Sequence, residues 1–199
     1  MKQKGLVYVF EGDGKGKTSA ALGVTVRMLL NKKSVVWISW FKTSDWQISE
    51  AGLVRVFRNN LKMFFAGEGF FIKTGEVLDI GSKKVKFAVT NSVKVFDSST
   101  PDKHKLAAVR SIELAKEFLS EHKPPHLLVL DEAIKAVNDG LISEKSLLGV
   151  IKNRGSTHMV ITGHHAPKNI IENADLVTEM KKIKHPYDQG ILAVKGLDY

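Results

Sequence analysis

One segment constrains this chain more than any other. The run Gly12-Asp13-Gly14-Lys15-Gly16-Lys17-Thr18-Ser19 lies between an apolar, strand-like stretch from Gly5 to Phe10 and a helix-like one from Ala20 to Leu30. A glycine-rich turn that leaves a strand and enters a helix aims backbone N–H groups at one spot and adds the helix's N-terminal potential. It also sets a lysine and a hydroxyl where phosphate oxygens and Mg2+ would sit. The run predicts a nucleotide site, best matched by ATP, with Gly12, Asp13, Gly14, Lys15, Gly16, Lys17, Thr18 and Ser19 around the phosphates. Lys17 is expected to bridge the distal phosphates and Thr18 to hold Mg2+. A strict P-loop has glycine five residues before Gly16, where this chain has Glu11. Gly-Lys-Thr alone also occurs in flexible surface turns; the strand before it and the helix after it argue for the phosphate role.

The remaining text alternates in the same way. Ser34 to Trp40 is β-branched and aromatic, which suits a second buried parallel strand. Ser49 to Met63 carries Leu53, Val54, Phe57 and Leu61 at helical spacing, and Gly67-Glu68-Gly69 then leads to the apolar cluster Phe70-Phe71-Ile72. Val85 to Phe96 reads as an inserted hairpin turning at Asn91-Ser92. Pro101 to Leu119 is a helix, and His126 to Leu130 an apolar strand ending in Asp131-Glu132. In P-loop proteins such a strand is expected beside the P-loop strand, its acid reaching Mg2+. The bland alternative is an acid that stabilises the helix N-terminus at Ala133 to Asn138. Next come a helix from Glu144 to Lys152, capped by Ser143, a strand from His158 to Thr162 and a helix from Pro167 to Glu172. Asp175 to Met180 and Ile191 to Val194 are the expected closing strands. The fold class is α/β: a P-loop NTPase-like (RecA-like), mostly parallel sheet with helices on both faces. It forms a single domain over residues 1–199, with a hairpin insert at about 72–98. The P-loop, Asp131 and the turn Thr162-Gly163-His164-His165 should meet at the carboxyl ends of the strands.

Composition narrows the chemistry. The 199 residues include no cysteine, which excludes disulfides, thiolate zinc sites, iron–sulfur clusters and cysteine nucleophiles together. Charged residues interrupt every apolar run short of a membrane span, and Met1-Lys2-Gln3-Lys4 runs straight into the first strand without a signal segment, so a cytoplasmic location is expected. The net charge of +9 is spread through every segment, with neither an arginine-rich block nor basic–aromatic interleaving. It reads as a solvated basic surface and not as a nucleic-acid site. His158, His164 and His165 lack the spacing of a metal site, and His185 in Lys-His-Pro reads at least as well as a structural residue as a substrate contact. Trp37 and Trp40 read as packing residues; Trp46 could line a pocket.

The ordered set GDGKGKTSAALG, GEGF, LLVLDE, VITGHHAP and ADLVTEMKKIKHPYDQGILAVKGLDY resembles the P-loop type of ATP:cob(I)alamin (corrinoid) adenosyltransferases. The anchors run from Gly5 to Tyr199, in patches only between Trp46 and Leu106. The last is the most specific, and the family's own P-loop also lacks the first glycine. The resemblance implies that a Co(I) corrinoid, cobalamin or cobyrinic acid a,c-diamide, attacks the ribose 5′-carbon of ATP. Triphosphate leaves, and the product serves adenosylcobalamin synthesis or salvage. Co(I) is itself the nucleophile, so no general base is required. The implied catalytic residues are Lys17 and Thr18, with Thr18, Glu132 and Asp131 at Mg2+ and Phe70 and Phe71 at the corrinoid. Departures are Phe71 and Ile72, where the family has Thr and Trp, and His164, where it usually has arginine. A basic surface suits an acidic flavoprotein as electron donor, and a homodimer is the expected assembly. A P-loop ATPase or small-molecule kinase is the alternative, and an ATP-dependent binding module a third.

Overall fold

The computed structural model describes residues 4–42, 48–65, 77–80, 83–86 and 101–198. Phe70, Phe71, Ile72 and Trp46 lie outside the described residues. Six strands form one parallel sheet: β1 (Val7–Glu11), β2 (Val35–Ser39), β3 (Leu61–Phe65), β6 (Leu127–Asp131), β7 (His158–Thr162) and β8 (Leu176–Glu179), in spatial order β3-β2-β6-β7-β1-β8. All residues of β2 and β6 are buried, the state expected of apolar strands covered on both faces.

Alternation within the strands assigns each side chain to a face. Val36, Ile38, Leu128, Leu130, Met159 and Ile161 pack with α3 (Pro101–Ser120), α4 (Ala133–Asn138), α5 (Glu144–Lys152) and α6 (Lys168–Glu172). Val35, Trp37, Val129, Val160 and Phe10 pack with α1 (Lys17–Leu30) and α2 (Leu53–Val56). Each fully buried aliphatic side chain contributes roughly 1.5–3 kcal/mol relative to exposure, so the two faces together hold the sheet's edge in position. Local signals bound the helices. Gly16, at φ 114°, starts α1, and the Ser143 hydroxyl accepts from the Ser146 amide at 3.1 Å to cap α5.

Four expectations change. The helical spacing over Ser49 to Met63 holds only for a 3-10 turn at Ser49–Gly52 and the short α2; Leu61–Phe65 is β3, paired with β2 from Val35↔Leu61 to Ser39↔Phe65. Non-local pairing overrides the local period. A hairpin pairs β4 (Val77–Ile80) with β5 (Lys83–Lys86), Val77 opposite Lys86, so Val85 and Lys86 pair backwards with β4, while Asn91 and Ser92 lie outside the described residues. Ile191 to Val194 is not a strand: Gly190 at φ 76° and Gly196 at φ 82° turn the chain on either side, and the Val194 amide donates to the Asp198 carboxylate. Finally, β6 is not beside β1. β7 lies between them, and it brings the Thr162 hydroxyl to the acid of β6.

Candidate active site

The strand ends set the site. Glu11, Thr162, Asp131 and Ser39 close β1, β7, β6 and β2, with Phe10 in register with Thr162 and Ser39 with Asp131. Above this row the loop from Gly12 to Gly16 bends into α1. Gly12, at φ 108°, has no space for a side chain, because a Cβ there would come within 2.5 Å of the Met180 carbonyl oxygen. The Gly14 amide donates to that oxygen at 2.7 Å, and the Met180 amide donates to the Glu11 carbonyl at 2.8 Å. The segment after β8 is thus bonded to the loop through its backbone.

Lys17 is buried, at 6% exposure, and folds back over the loop, its Nζ donating to the carbonyls of Gly12 at 2.7 Å and Gly14 at 2.9 Å. Burial lowers its pKa from the usual lysine value, against the pull of Glu132, Asp13, Asp131 and Glu11. An ammonium held only by neutral carbonyls can exchange them for phosphate oxygens, which attract it more strongly.

The two adjacent acids differ sharply. Asp131 is fully buried, and each carboxylate oxygen has two donors. Oδ1 accepts from Thr18 Oγ1 at 3.1 Å and Thr162 Oγ1 at 2.9 Å; Oδ2 accepts from Ser39 Oγ at 3.1 Å and lies 3.0 Å from Lys42 Nζ. Trp37 Nε1 donates to Ser39 at 2.8 Å, and Lys42 also reaches Glu50 at 2.9 Å. Burial alone would lower the Lys42 pKa, but the charges of Asp131 and Glu50 outweigh it and raise it. Glu132 is held in the left-handed region at φ 63°, and its buried Oε2 has no hydrogen-bond partner. Burial, with the charge of Asp131 adding, pushes its pKa up to about 7 against Lys17, Lys42 and Lys135. An unpaired, strained carboxyl beside a saturated one is the arrangement of a group kept available for a ligand.

A cavity of about 940 Å³ opens over these groups, with Thr18, Ser19, Lys42, Glu132 and His164 toward the strand ends and Leu22, Trp40, Phe41, Leu53 and Leu197 supplying apolar walls. That is the upper end of ordinary ligand pockets, about 300–1,000 Å³.

The sequence-derived residues divide accordingly. Thr18, Ser19 and Glu132 line the cavity, while Lys17 is bonded to the Gly12 and Gly14 carbonyls and Asp131 to Thr18, and Gly16 starts α1. Asp13 and Lys15 belong to the same loop, but their carboxylate and ammonium are engaged by the C-terminal segment: Asp13 accepts from the Lys182 amide at 3.2 Å, and Lys15 pairs with Asp198. His185 accepts from the Tyr187 amide at 3.1 Å and caps a 3-10 turn. Sequence reasoning missed Ser39, Lys42 and Glu50, and it placed Thr162 at the site only as part of its turn, without the bond to Asp131. A hydroxyl ending an otherwise apolar strand is the one signal that could have shown Ser39.

Comparison with known proteins covers the length of the chain. Residues 3–199 match the family model described as ATP:corrinoid adenosyltransferase BtuR/CobO/CobP. A corrinoid adenosyltransferase of Sinorhizobium sp is 28% identical over 199 residues, covering 99% of this chain and 81% of the relative. The corrinoid adenosyltransferase of Pseudomonas aeruginosa is 29% identical over 199 residues, covering 99% and 85%. That of Salmonella typhimurium is 24% identical over 199 residues, covering 100% and 87%. With its phosphate loop, paired acids and C-terminal segment all inside the matched span, the chain belongs to the ATP:corrinoid adenosyltransferase family.

Proposed function

We propose that this chain transfers the 5′-deoxyadenosyl group of ATP to the Co(I) of a corrinoid and releases triphosphate. One observation carries the reading: a P-loop with its lysine parked on loop carbonyls closes one end of a cavity whose other walls are largely apolar. The polar end suits a polyphosphate leaving group, and the apolar walls suit a second, larger substrate. Lys17 would leave the Gly12 and Gly14 carbonyls for the phosphates, while the loop amides and the N-terminus of α1 take up the charge that develops on the departing triphosphate. The walls hold the two substrates together, which is the positioning work an in-line attack needs. Co(I) is the nucleophile, so the chain supplies no base. Residues 1–199 act as one domain in this reading, in the cytoplasm where ATP is found.

The residues present fit Mg2+. Its preference is for oxygen ligands shared between one or two carboxylates and substrate phosphates. Here the orphaned Glu132 Oε2 is the free carboxylate, and Thr18, whose proton goes to Asp131, keeps its lone pairs open toward the cavity. Glu132 and Thr18 would hold the ion directly, and Asp131 would orient Thr18. When bound, Mg2+ neutralises phosphate charge.

A phosphoryl-transfer reading has one observation in its favour, because a carboxyl with a pKa of about 7 could serve as a general base for water or a hydroxyl. The products separate the two readings. Incubation with Mg-ATP and chemically reduced corrinoid should change the corrinoid absorbance and yield triphosphate. ADP with an unchanged corrinoid spectrum would overturn adenosyl transfer. The net charge of +9 supports an acidic flavoprotein as the electron donor, with a salt-sensitive pull-down as its test. Sedimentation at micromolar concentration tests the expected homodimer.

A further inference from the structure

His164 sits on the turn between β7 and α6, and two other elements, β1 and α4, hold that turn. Glu11, at the end of β1, accepts from the Ala166 amide at 2.7 Å, and the Gly163 amide donates to the Phe10 carbonyl at 3.3 Å. Asn138, at the end of α4, donates to the carbonyls of His164 at 2.5 Å and His165 at 3.2 Å. Gly163 lies so close to α4 that a Cβ would come within 2.6 Å of the Ile134 Cβ. The backbone of the turn is therefore fixed. Its imidazole is half-buried and lines the cavity near the P-loop, and neither ring nitrogen has a hydrogen-bond partner among the described residues. A fixed backbone carrying an unpartnered, half-buried ring donor into a cavity that also presents Thr18 and Lys15 is a ligand contact awaiting its ligand.

We propose that His164 is a proton-dependent ligand for the phosphate chain of the nucleotide. This rests on the triphosphate reading given above. In the free protein, burial holds the imidazole below its usual pKa, and Lys17, Lys135 and His165 reinforce that, with Asp13 opposing them. His164 is accordingly neutral at pH 7. Glu132 and the Lys15–Asp198 pair also face the cavity. Entry of a polyphosphate reverses the local field, because several negative charges are added beside Lys17 and Lys135, and the charged imidazole becomes the favoured form. Binding then takes up a proton, and affinity falls as pH rises through the bound-state pKa, by up to about tenfold per pH unit for one linked proton.

The test uses inorganic tripolyphosphate without metal, so that Mg2+ does not enter. In the intact chain, the His164 ring resonance, assigned by its loss in His164→Gln, is titrated by NMR with and without saturating tripolyphosphate. The expected result is a pKa that rises on binding, together with an affinity that falls more steeply between pH 6 and 8 than that of His164→Gln. His164→Arg, which carries a permanent charge, should flatten the difference and bind more tightly than the native chain at pH 8. Protonation of tripolyphosphate and of Glu132 enters every slope alike. An unchanged His164 pKa, or parallel slopes for native and His164→Gln, overturns the inference and leaves the P-loop reading standing. Failure of tripolyphosphate to bind at any pH overturns the P-loop reading, and this inference with it.

Discussion

Asp131, at the end of β6, is 0% exposed and holds four donors, whereas the C-terminal segment that crosses the same phosphate loop leaves Ile183 92% and Leu197 81% exposed. Both touch the loop, one through Thr18 and the other through backbone bonds at Met180 and Lys182 and the Lys15–Asp198 pair. The strand end is embedded in the core, so its contacts are made where water cannot compete. The C-terminal segment relies on a few backbone bonds, each contributing about 0.5–1.5 kcal/mol, and on an ion pair screened by solvent. The segment with the most family-specific text thus adds little to stability. Its value is in where it sits: over the loop and along the cavity.

The largest effect expected on either side of this contrast is on turnover. Lys17→Ala removes the only lysine ammonium that reaches inside the loop among the described residues, and should lower adenosyl transfer, followed by corrinoid absorbance, about 10³-fold or more. Near-normal turnover would mean the loop is not the triphosphate cradle. The next effect is on stability. Asp131→Asn removes one of the two counter-charges of Lys42, leaving Glu50, and puts an amide NH2 where two donors pointed, so it should cost about 3 kcal/mol in urea unfolding. A loss no larger than a surface substitution gives would erase the contrast between strand end and C-terminal segment.

The same contrast explains what could be read before folding. β2, β6, β7, α4 and α5 were legible because uninterrupted apolar text between helices has few other fates. β3 was not, since Leu61 continues the helical spacing of Leu53 and Phe57, and only pairing with β2 makes it a strand. Ile191 to Val194 looked like a strand for its β-branched content, yet no neighbour pairs with it among the described residues. Lys17, Thr18, Asp131 and Glu132 were legible because short-range spacing carries their chemistry. Ser39 and Lys42 acquire theirs from a register that joins residues 92 positions apart, as Ser39 to Asp131 does. Glu11 stood out only as a missing glycine; the structure gives its carboxylate a partner, the Ala166 amide.

Glu132 offers a pH-resolved test of the strand end. Its pKa is raised to about 7 from 4.5, so between those values the folded chain binds more protons than the unfolded one. Stability contributed by protonated Glu132 is therefore present at pH 4.5 and lost as pH rises to 7, a change on the order of 2–3 kcal/mol. Glu132→Gln should remove that decline, being more stable than the native chain at pH 8 and nearly equal at pH 4.5, while adenosyl transfer falls. Mg2+ should raise the melting temperature of the native chain at pH 8 and leave that of Glu132→Gln unmoved. Equal pH profiles in the two proteins would show that Glu132 is not kept unpaired at a cost.

The smallest effect is expected from the C-terminal segment. Asp198 carries a lowered pKa, chiefly from its hydrogen bond with Lys15, but both groups lie in contact with solvent, where such pairs contribute little. Asp198→Asn should leave the melting temperature unchanged within error and raise KM for ATP less than about threefold, because Lys15 gains freedom while the Met180–Gly14 bond keeps the segment over the loop. Gly14→Ala tests that second contact, since a Cβ there would come within 2.7 Å of the Met180 oxygen. It should raise KM for ATP more than Asp198→Asn does. If the two substitutions instead act equally, the segment is held by its charges, and the contrast with the buried strand end narrows to one of degree.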